Sequence, residues 1–392
     1  MMIDKWQNIR LKDMTTKIGS GATPRGGQDS YKVAGTPLIR SLNIYDLSFN
    51  YENLAFIDDK QAKKLSNVEV LKDDVLLNIT GASVCRCASV PNNLVPARVN
   101  QHVSIIRADG VKLNGKYLKY VLVCPSYKDY LYSIATTGAT REALTKSDIE
   151  NLEIKVPSIN LQSQIVSILS AYDDLIENNE KRIKVLEEIA QRLYTEWFVH
   201  FRFPGYEKLK MVDGVAEYEV IPEGWELKKL GEVIDLIYGK ALTADDRCSG
   251  GIPVYGSSGI VGTHNERLVS GPGIVVGRKG NVGTVFWVRK DFYAIDTTYY
   301  VRSSLDFHFV YFLLKMQNFI SSDVAVPGLS RNQAYGIEVI IPGKKVIEMF
   351  VDLVAPYFKQ VDILRDNNMK LVQTRDLLIA QLVTGKREIK II

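Results

Sequence analysis

Residues 165–197 read IVSILSAYDDLIENNEKRIKVLEEIAQRLYTEW. Apolar side chains fall at Ile165, Leu169, Tyr172, Ile176, Ile183, Leu186, Ala190, Leu193 and Trp197, and Asn179 fills the one missing step, so the spacing alternates four and three. A repeat of that kind keeps one stripe of a helix against a partner helix, which makes this stretch a coiled-coil seam. Adding 185 to each position gives Phe350, Val354, Tyr357, Val361, Leu364, Asn368, Leu371, Arg375, Leu378 and Leu382. The same seam therefore recurs near the C-terminus with two polar intrusions, and a chain that carries it twice is expected to pair the copies with each other. With antiparallel helices and Asn179 opposite Asn368, facing numbers sum to 547, the centre falls at Lys181 and Asp366, and Arg375 faces the Tyr172 ring, on which it could stack.

The rest of the chain repeats around these helices. Trp6-Gln-Asn-Ile-Arg-Leu11 returns as Trp225-Glu-Leu-Lys-Lys-Leu230, each followed by a Gly-punctuated loop, GSGATPRGG (19–27) and YGKALTADD (238–246). Strand candidates at 35–44 and 251–260 precede hairpin candidates at 74–90 and 273–288, where β-branched residues alternate around a Gly-bearing turn. Aromatic helix candidates follow at 116–134 and 307–322, then the loops Gly138-Ala-Thr140-Arg141 and Gly328-Leu-Ser330-Arg331. The offset between copies falls from 219 to 185, so the second globular segment is shorter, with the loss expected in the loops. The expected fold is α+β: two pseudo-symmetric mixed α/β domains separated by two long helices packed as an antiparallel coiled coil. Its parts are a first domain over 1–158, a central helix over 159–200 and a connecting strap over 201–224. A second domain over 225–344, a C-terminal helix over 345–385 and a tail over 386–392 complete it.

Composition narrows the class. The chain has 392 residues, enough for two or three domains, and 46% hydrophobic with 24% charged content is that of a globular protein. No apolar run approaches a membrane span, and the N-terminus does not read as a signal peptide. The four cysteines (Cys85, Cys87, Cys124, Cys248) are too scattered for a disulfide scaffold, which points to a reducing cytoplasm. Net charge is only +4, but residues 1–158 carry +5 and residues 159–200 carry −3.

Catalytic patterns are missing. Gly239-Lys240 lacks the remainder of a phosphate-binding loop, and Gly271-Pro-Gly273-Ile-Val-Val-Gly277 misses the dinucleotide spacing. Cys85 and Cys87 have no second pair or nearby histidine to complete a zinc set and read as core or surface thiols. His102, His200, His264 and His308 are scattered, and neither an amine-methylation motif nor a nuclease core is present. No catalytic residue and no metal ligand is assigned. The positive signal is a set of basic, amide and hydroxyl side chains in loops. The first domain offers Thr23, Arg25, Arg40, Ser41, Arg86, Arg98, Gln101, Arg141 and Lys146. The second offers Lys240, Ser257, His264, Arg278, Lys279, Asn281, Ser330 and Arg331. Arginine and lysine pair with phosphates, arginine reads guanine, and glutamine or asparagine reads adenine. One at a time these are ordinary surface residues; repeated in two domains, they favour nucleic acid.

Taken with AQRLYTEWFVHFRFPGYE (190–207), IPEGWELKKLGEV (221–233), VVGRKGNVGTVFW (275–287), PGLSRNQAYGIEVIIP (327–342) and TRDLLIAQLVTG (374–385), the chain resembles a specificity subunit of a type I restriction–modification system. The resemblance implies two target-recognition domains, each reading half of a split, asymmetric site in double-stranded DNA. It implies helices that set the unread spacer and dock two modification subunits, which methylate adenine from S-adenosylmethionine. Restriction subunits, with ATP and Mg2+, would join through the complex, so this chain itself would hold no cofactor and perform no catalysis. A recognition subunit of a two-subunit enzyme that both cuts and methylates is a near alternative. A protein-bridging scaffold and a free-standing methyltransferase or nuclease are more distant ones.

Overall fold

The computed structural model describes residues 6–137, 142–214, 220–319 and 328–389. The chain divides into two compact units, Met1–Asn178 with Asn367–Ile392, and Asn179–Asp366. Both long helices are therefore shared, one part in each unit.

In the first unit a four-stranded antiparallel sheet runs in the order Thr15–Ser20, Val103–Ala108, Val75–Asn78, Cys87–Ser89. Val75–Asn78 is an unbroken apolar run closed by Asn78 and is buried throughout, as a strand covered on both faces must be. A second sheet pairs Thr36–Ile39 parallel to Ala97–Val99, with Ala55–Ile57 and Glu69–Val70 at its edges. Gln7–Arg10 pairs antiparallel with Glu153–Val156. The aromatic helix expected at 116–134 is two helices, Gly115–Val123 and Pro125–Thr136. Cys124 is extended because it precedes proline, and Pro125 then starts the next helix, where its missing N–H costs nothing. Its neighbours Cys85 and Cys87 are core thiols.

The second unit repeats this topology. Ile234–Tyr238, Thr298–Ser303, Gly273–Gly277 and Val285–Val288 take the same four places in the same order. Ile252–Gly256 lies parallel to Tyr293–Ala294, and Glu226–Lys229 pairs with Glu338–Ile341. Offsets between matching elements are 219 from Gln7 to Glu226, 198 from Val75 to Gly273, 195 from Val103 to Thr298, and 185 from Glu153 to Glu338. The sequence places the loss in the loops, but the largest step is not loop alone. It spans the segment in which the first unit builds a four-stranded second sheet and the second unit, among the described residues, a three-stranded one. The connecting strap also has structure: Met211–Asp213 pairs with Val220–Pro222, and Phe203 stacks on Trp225 at 5.3 Å.

The long helices span Ile159–Tyr194, extended by a turn of π-helix over Thr195–Val199, and Lys344–Leu382, which continues past an internal Pro356. The first is about 54 Å long at 1.5 Å per residue. Every seam position is buried or half-buried, whereas the off-repeat Leu175, Val185, Ile189, Ile363 and Leu377 are exposed. In the first unit Ile165 and Leu169 share a core with Ile379 and Leu382, Arg375 reaches Asp173, and Asn368 donates to Ile176 O at 3.3 Å. In the second, Ile183 and Leu186 cluster with Val361 and Leu364, and Tyr194 packs on Phe350. Partner numbers fall on one helix as they rise on the other, so the segments run antiparallel within each unit. One detail of the seam is corrected: Arg375 does not stack on Tyr172. It turns instead to the adjacent Asp173, because a carboxylate binds a guanidinium more strongly than a ring face does. No helix among the described residues is long and apolar enough to cross a membrane.

Candidate nucleic-acid interface

At one end of the main sheet each unit builds a platform from five chain segments, held by the same backbone hydrogen bonds. Gly21 N donates to Val103 O and Ala22 N to Val99 O in the first; Gly239 N donates to Thr298 O and Lys240 N to Ala294 O in the second. Ile79 N reaches His102 O where Arg278 N reaches Thr297 O, and Leu144 N reaches Ile79 O where Leu329 N reaches Arg278 O. The bridges Thr80 to Ala143 and Lys279 to Gly328 match as well. Glycine is required at the first of these places: a Cβ on Gly21 would lie 1.9 Å from Val99 O, and one on Gly239 2.1 Å from Ile295 O. The hairpin loops share a left-handed residue after their tight turn, Cys85 at φ 68° and Gly283 at φ 75°.

This frame corrects one sequence alignment. The counterpart of Gly328-Leu329-Ser330-Arg331 is Ala143-Leu144-Thr145-Lys146, whereas Gly138–Arg141, Arg141 included, lies outside the described residues. Thr145 and Ser330 are both N-caps, accepting from Asp148 N and Gln333 N.

On one frame the two platforms carry different chemistry. In the second unit Arg278 lies over Tyr238 at 4.8 Å, donates through Nη1 to Asp296 O at 2.8 Å, and stands 5.9 Å from the Tyr299 ring. Arg331 lies over the same Tyr238 at 5.2 Å and over Tyr335 at 5.9 Å. Burial, then the hydrogen bond with Tyr238, push the Tyr299 phenol up to about 12, so it stays a neutral donor to Leu329 O. Lys240, Lys279 and Asn281 are exposed around this group, and Ser257 O accepts from Thr284 in the same hairpin loop. Seven of the eight residues expected here thus lie together. His264 does not. It sits at the far end of the Ile252–Gly256/Gly259–His264 hairpin from Ser257, its ring edge-on to Tyr293 at 5.6 Å.

The first unit offers amides and hydroxyls instead. Thr23 Oγ1 donates to Gln101 Oε1, Gln101 Nε2 lies 3.3 Å from His102 Nε2, and His102 Nδ1 lies 2.7 Å from Thr80 Oγ1. If Gln101 donates to Nε2, His102 carries its proton on Nδ1 and gives it to Thr80. Arg40, over Tyr31 at 5.3 Å and bonded to Asn53 O, precedes Ser41, which matches Ser257. Arg86 lies over Tyr45 at 4.5 Å, Arg25 is exposed, and Lys146 pairs with Glu150 at 3.3 Å. Arg98 is the exception. Its side chain is 7% exposed and occupied by Glu69 at 2.8 Å, Ala62 O and Ala97 O, which makes it a strut and not a reader.

Sequence reasoning missed Tyr238, Tyr299 and Tyr335, the rings that seat the guanidiniums, together with Thr80. Tyr238 opens the loop YGKALTADD, and its place beside Gly239 is the available signal. Among the described residues no group of three or more His, Cys, Asp or Glu could hold a metal.

The sequence matches the family described as "Type I restriction modification DNA specificity domain" over residues 3–188 and 222–370, one segment on each half of the repeat. The chain belongs to this family. Among relatives in the type I restriction–modification family, the MjaIX specificity subunit of Methanocaldococcus jannaschii is 26% identical over 98% of this chain and 94% of its own length. The HindI specificity subunit of Haemophilus influenzae is 22% identical over 83% and 88%. The crystal structure of the S subunit from M. genitalium shares the fold, with TM-score 0.56 and 16% identity over 100% of this chain and 98% of that one. Two copies of the family's domain explain why one backbone frame is found twice.

Proposed function

We propose that this chain is the DNA-recognition subunit of a type I restriction–modification complex, without catalysis of its own. The domains at 1–158 and 225–344 each read one half of a bipartite, asymmetric site. The carrying observation is the pair of platforms: one hydrogen-bonded backbone frame with unlike side chains suits one task performed on two different sequences. The long helices set the spacer. Their exposed apolar residues off the seam, Leu175 and Leu377 in one unit, Val185 and Ile363 in the other, are suited to docking two modification subunits. S-adenosylmethionine belongs on those subunits, and ATP with Mg2+ on restriction subunits that join through them, all in the cytoplasm.

Exchanging residues 1–158 for the first domain of another family member tests this. Mapped adenine methylation in the host genome should change in one half of the site and keep the other half and the spacer. Changes in both halves would sink the modular reading. Against a protein-bridging scaffold, DNA binding by the assembled complex should weaken steeply with salt, because cations on the platforms displace counterions.

A further inference from the structure

We infer that Arg331 reads a guanine in the half-site recognised by the second domain. The inference rests on the DNA-recognition reading above and assigns one residue a base.

Two guanidiniums crowd one exposed phenol: the Cζ atoms of Arg278 and Arg331 stand 4.8 and 5.2 Å from the Tyr238 ring. Their repulsion is not relieved locally, since neither forms an ion pair among the described residues. Arg278 is partly satisfied by Asp296 O. No donor of Arg331 meets an acceptor among the described residues, yet its position is fixed. Rings lie beneath it at 5.2 and 5.9 Å, and the second ring is itself pinned, Tyr335 accepting from Leu236 N at 2.8 Å. With two rings against the guanidinium and no hydrogen bond made among the described residues, its fork of N–H donors is left to be filled. A fork held in one plane demands two acceptors in that plane, which guanine presents at O6 and N7. Phosphate needs no such fixing, and the exposed Lys240 and Lys279 supply charge for it nearby.

The first domain supplies the contrast. Lys146 occupies the same position after its N-cap, but it has no fork and is paired with Glu150 at 3.3 Å. The guanine contact therefore belongs to the second half-site, with no equivalent at the matched place in the first.

The experiment replaces the chromosomal gene in the host with R331A and R331Q, and maps methylated adenines genome-wide in the assembled system. R331A should turn one guanine of the site degenerate, with roughly 10- to 100-fold lost discrimination at that position. R331Q should relax the same position or shift it to adenine. That position must fall in the half that changes when residues 225–344 are exchanged. Uniformly weaker methylation with every position kept stringent would assign Arg331 to phosphate and overturn the inference. If R331A abolishes methylation, R331K decides: it keeps the charge and loses the fork, so a single relaxed guanine supports the inference and an unchanged site overturns it. A wild-type strain with no bipartite methylated motif would instead defeat the DNA-recognition reading.

Discussion

Arg375 and Asp173 meet across the two long helices of the first unit, Nη1 to Oδ1 at 3.0 Å. The carboxylate is shared, since Asp173 Oδ2 also accepts from Lys119 Nζ at 2.8 Å and Tyr120 OH at 2.6 Å. Burial, and then the Asp173 charge, hold the Tyr120 phenol protonated far above its usual range. One acid thus ties the helix Gly115–Val123 to both long helices. Asp173→Ala leaves Lys119, only 12% exposed, without its counter-charge, and leaves Arg375, 11% exposed, with only the more exposed Asp376 at 2.9 Å. It should cost about 3 kcal/mol, the range for breaking a buried pair from one side. A lowered urea midpoint at unchanged slope would report it; an unchanged midpoint would show that the network does not hold the helices.

Arg98 separates support from recognition. Its guanidinium is 7% exposed while its partner Glu69 is 39% exposed, so part of the attraction is screened by solvent. Arg98→Met should cost about 2 kcal/mol through the lost bonds to Ala62 O and Ala97 O. Thermal unfolding should fall while the methylated sequence stays the same. A relaxed base with stability intact would return Arg98 to the set of readers.

Thiol chemistry gives a prediction with a definite pH window. Cys85, Cys87 and Cys124 are buried and Cys248 is exposed. Burial pushes the Cys85 thiol from 9.0 up to about 11, and Cys87 shifts the same way. A thiol reagent at pH 8 should therefore titrate Cys248 alone in the native chain, and all four cysteines after denaturation. A folded-state value above the unfolded one stabilises fully below about pH 9 and is lost as pH rises through about 11. The urea midpoint should accordingly fall over that window, less steeply in Cys85→Ala. Rapid labelling of more than one native thiol would contradict the buried placement.

The helices were legible in sequence because a 3.5-residue repeat is a local pattern and recurs at a constant offset of 185. The strand order was not legible, since pairing partners such as Thr15–Ser20 and Val103–Ala108 are far apart in the chain. Topology also fixed what similarity of letters could not. Gly138–Arg141 resembles Gly328–Arg331 by composition, yet hydrogen bonds and N-caps match Ala143–Lys146 to that loop. Basic residues flagged by type divided three ways once placed: Arg331 over its rings, Arg98 inside the core, and Lys146 bound to Glu150. Burial and partner, not residue type, decide among those roles.

The matched frame makes the phosphate contribution of each domain separately measurable. Lys240 and Lys279 are exposed on the second platform, where the first carries Ala22 and Thr80 on the same backbone positions. Each lysine that neutralises a phosphate adds about one unit to the slope of log affinity against log salt. Lys240→Ala and Lys279→Ala should each flatten that slope by about 1 in the assembled complex, weakening cognate and unrelated duplexes alike. The reciprocal changes Ala22→Lys and Thr80→Lys should steepen it by a similar step, because the frame that would present them already exists. Mapped methylation should keep its sequence in Lys240→Ala, Lys279→Ala and Ala22→Lys, since a flexible ammonium positions the duplex without reading it, whereas Thr80→Lys also breaks the bond to His102 and should disturb the first half-site. A slope that ignores Lys240 and Lys279 would place the DNA on some other face of the second domain.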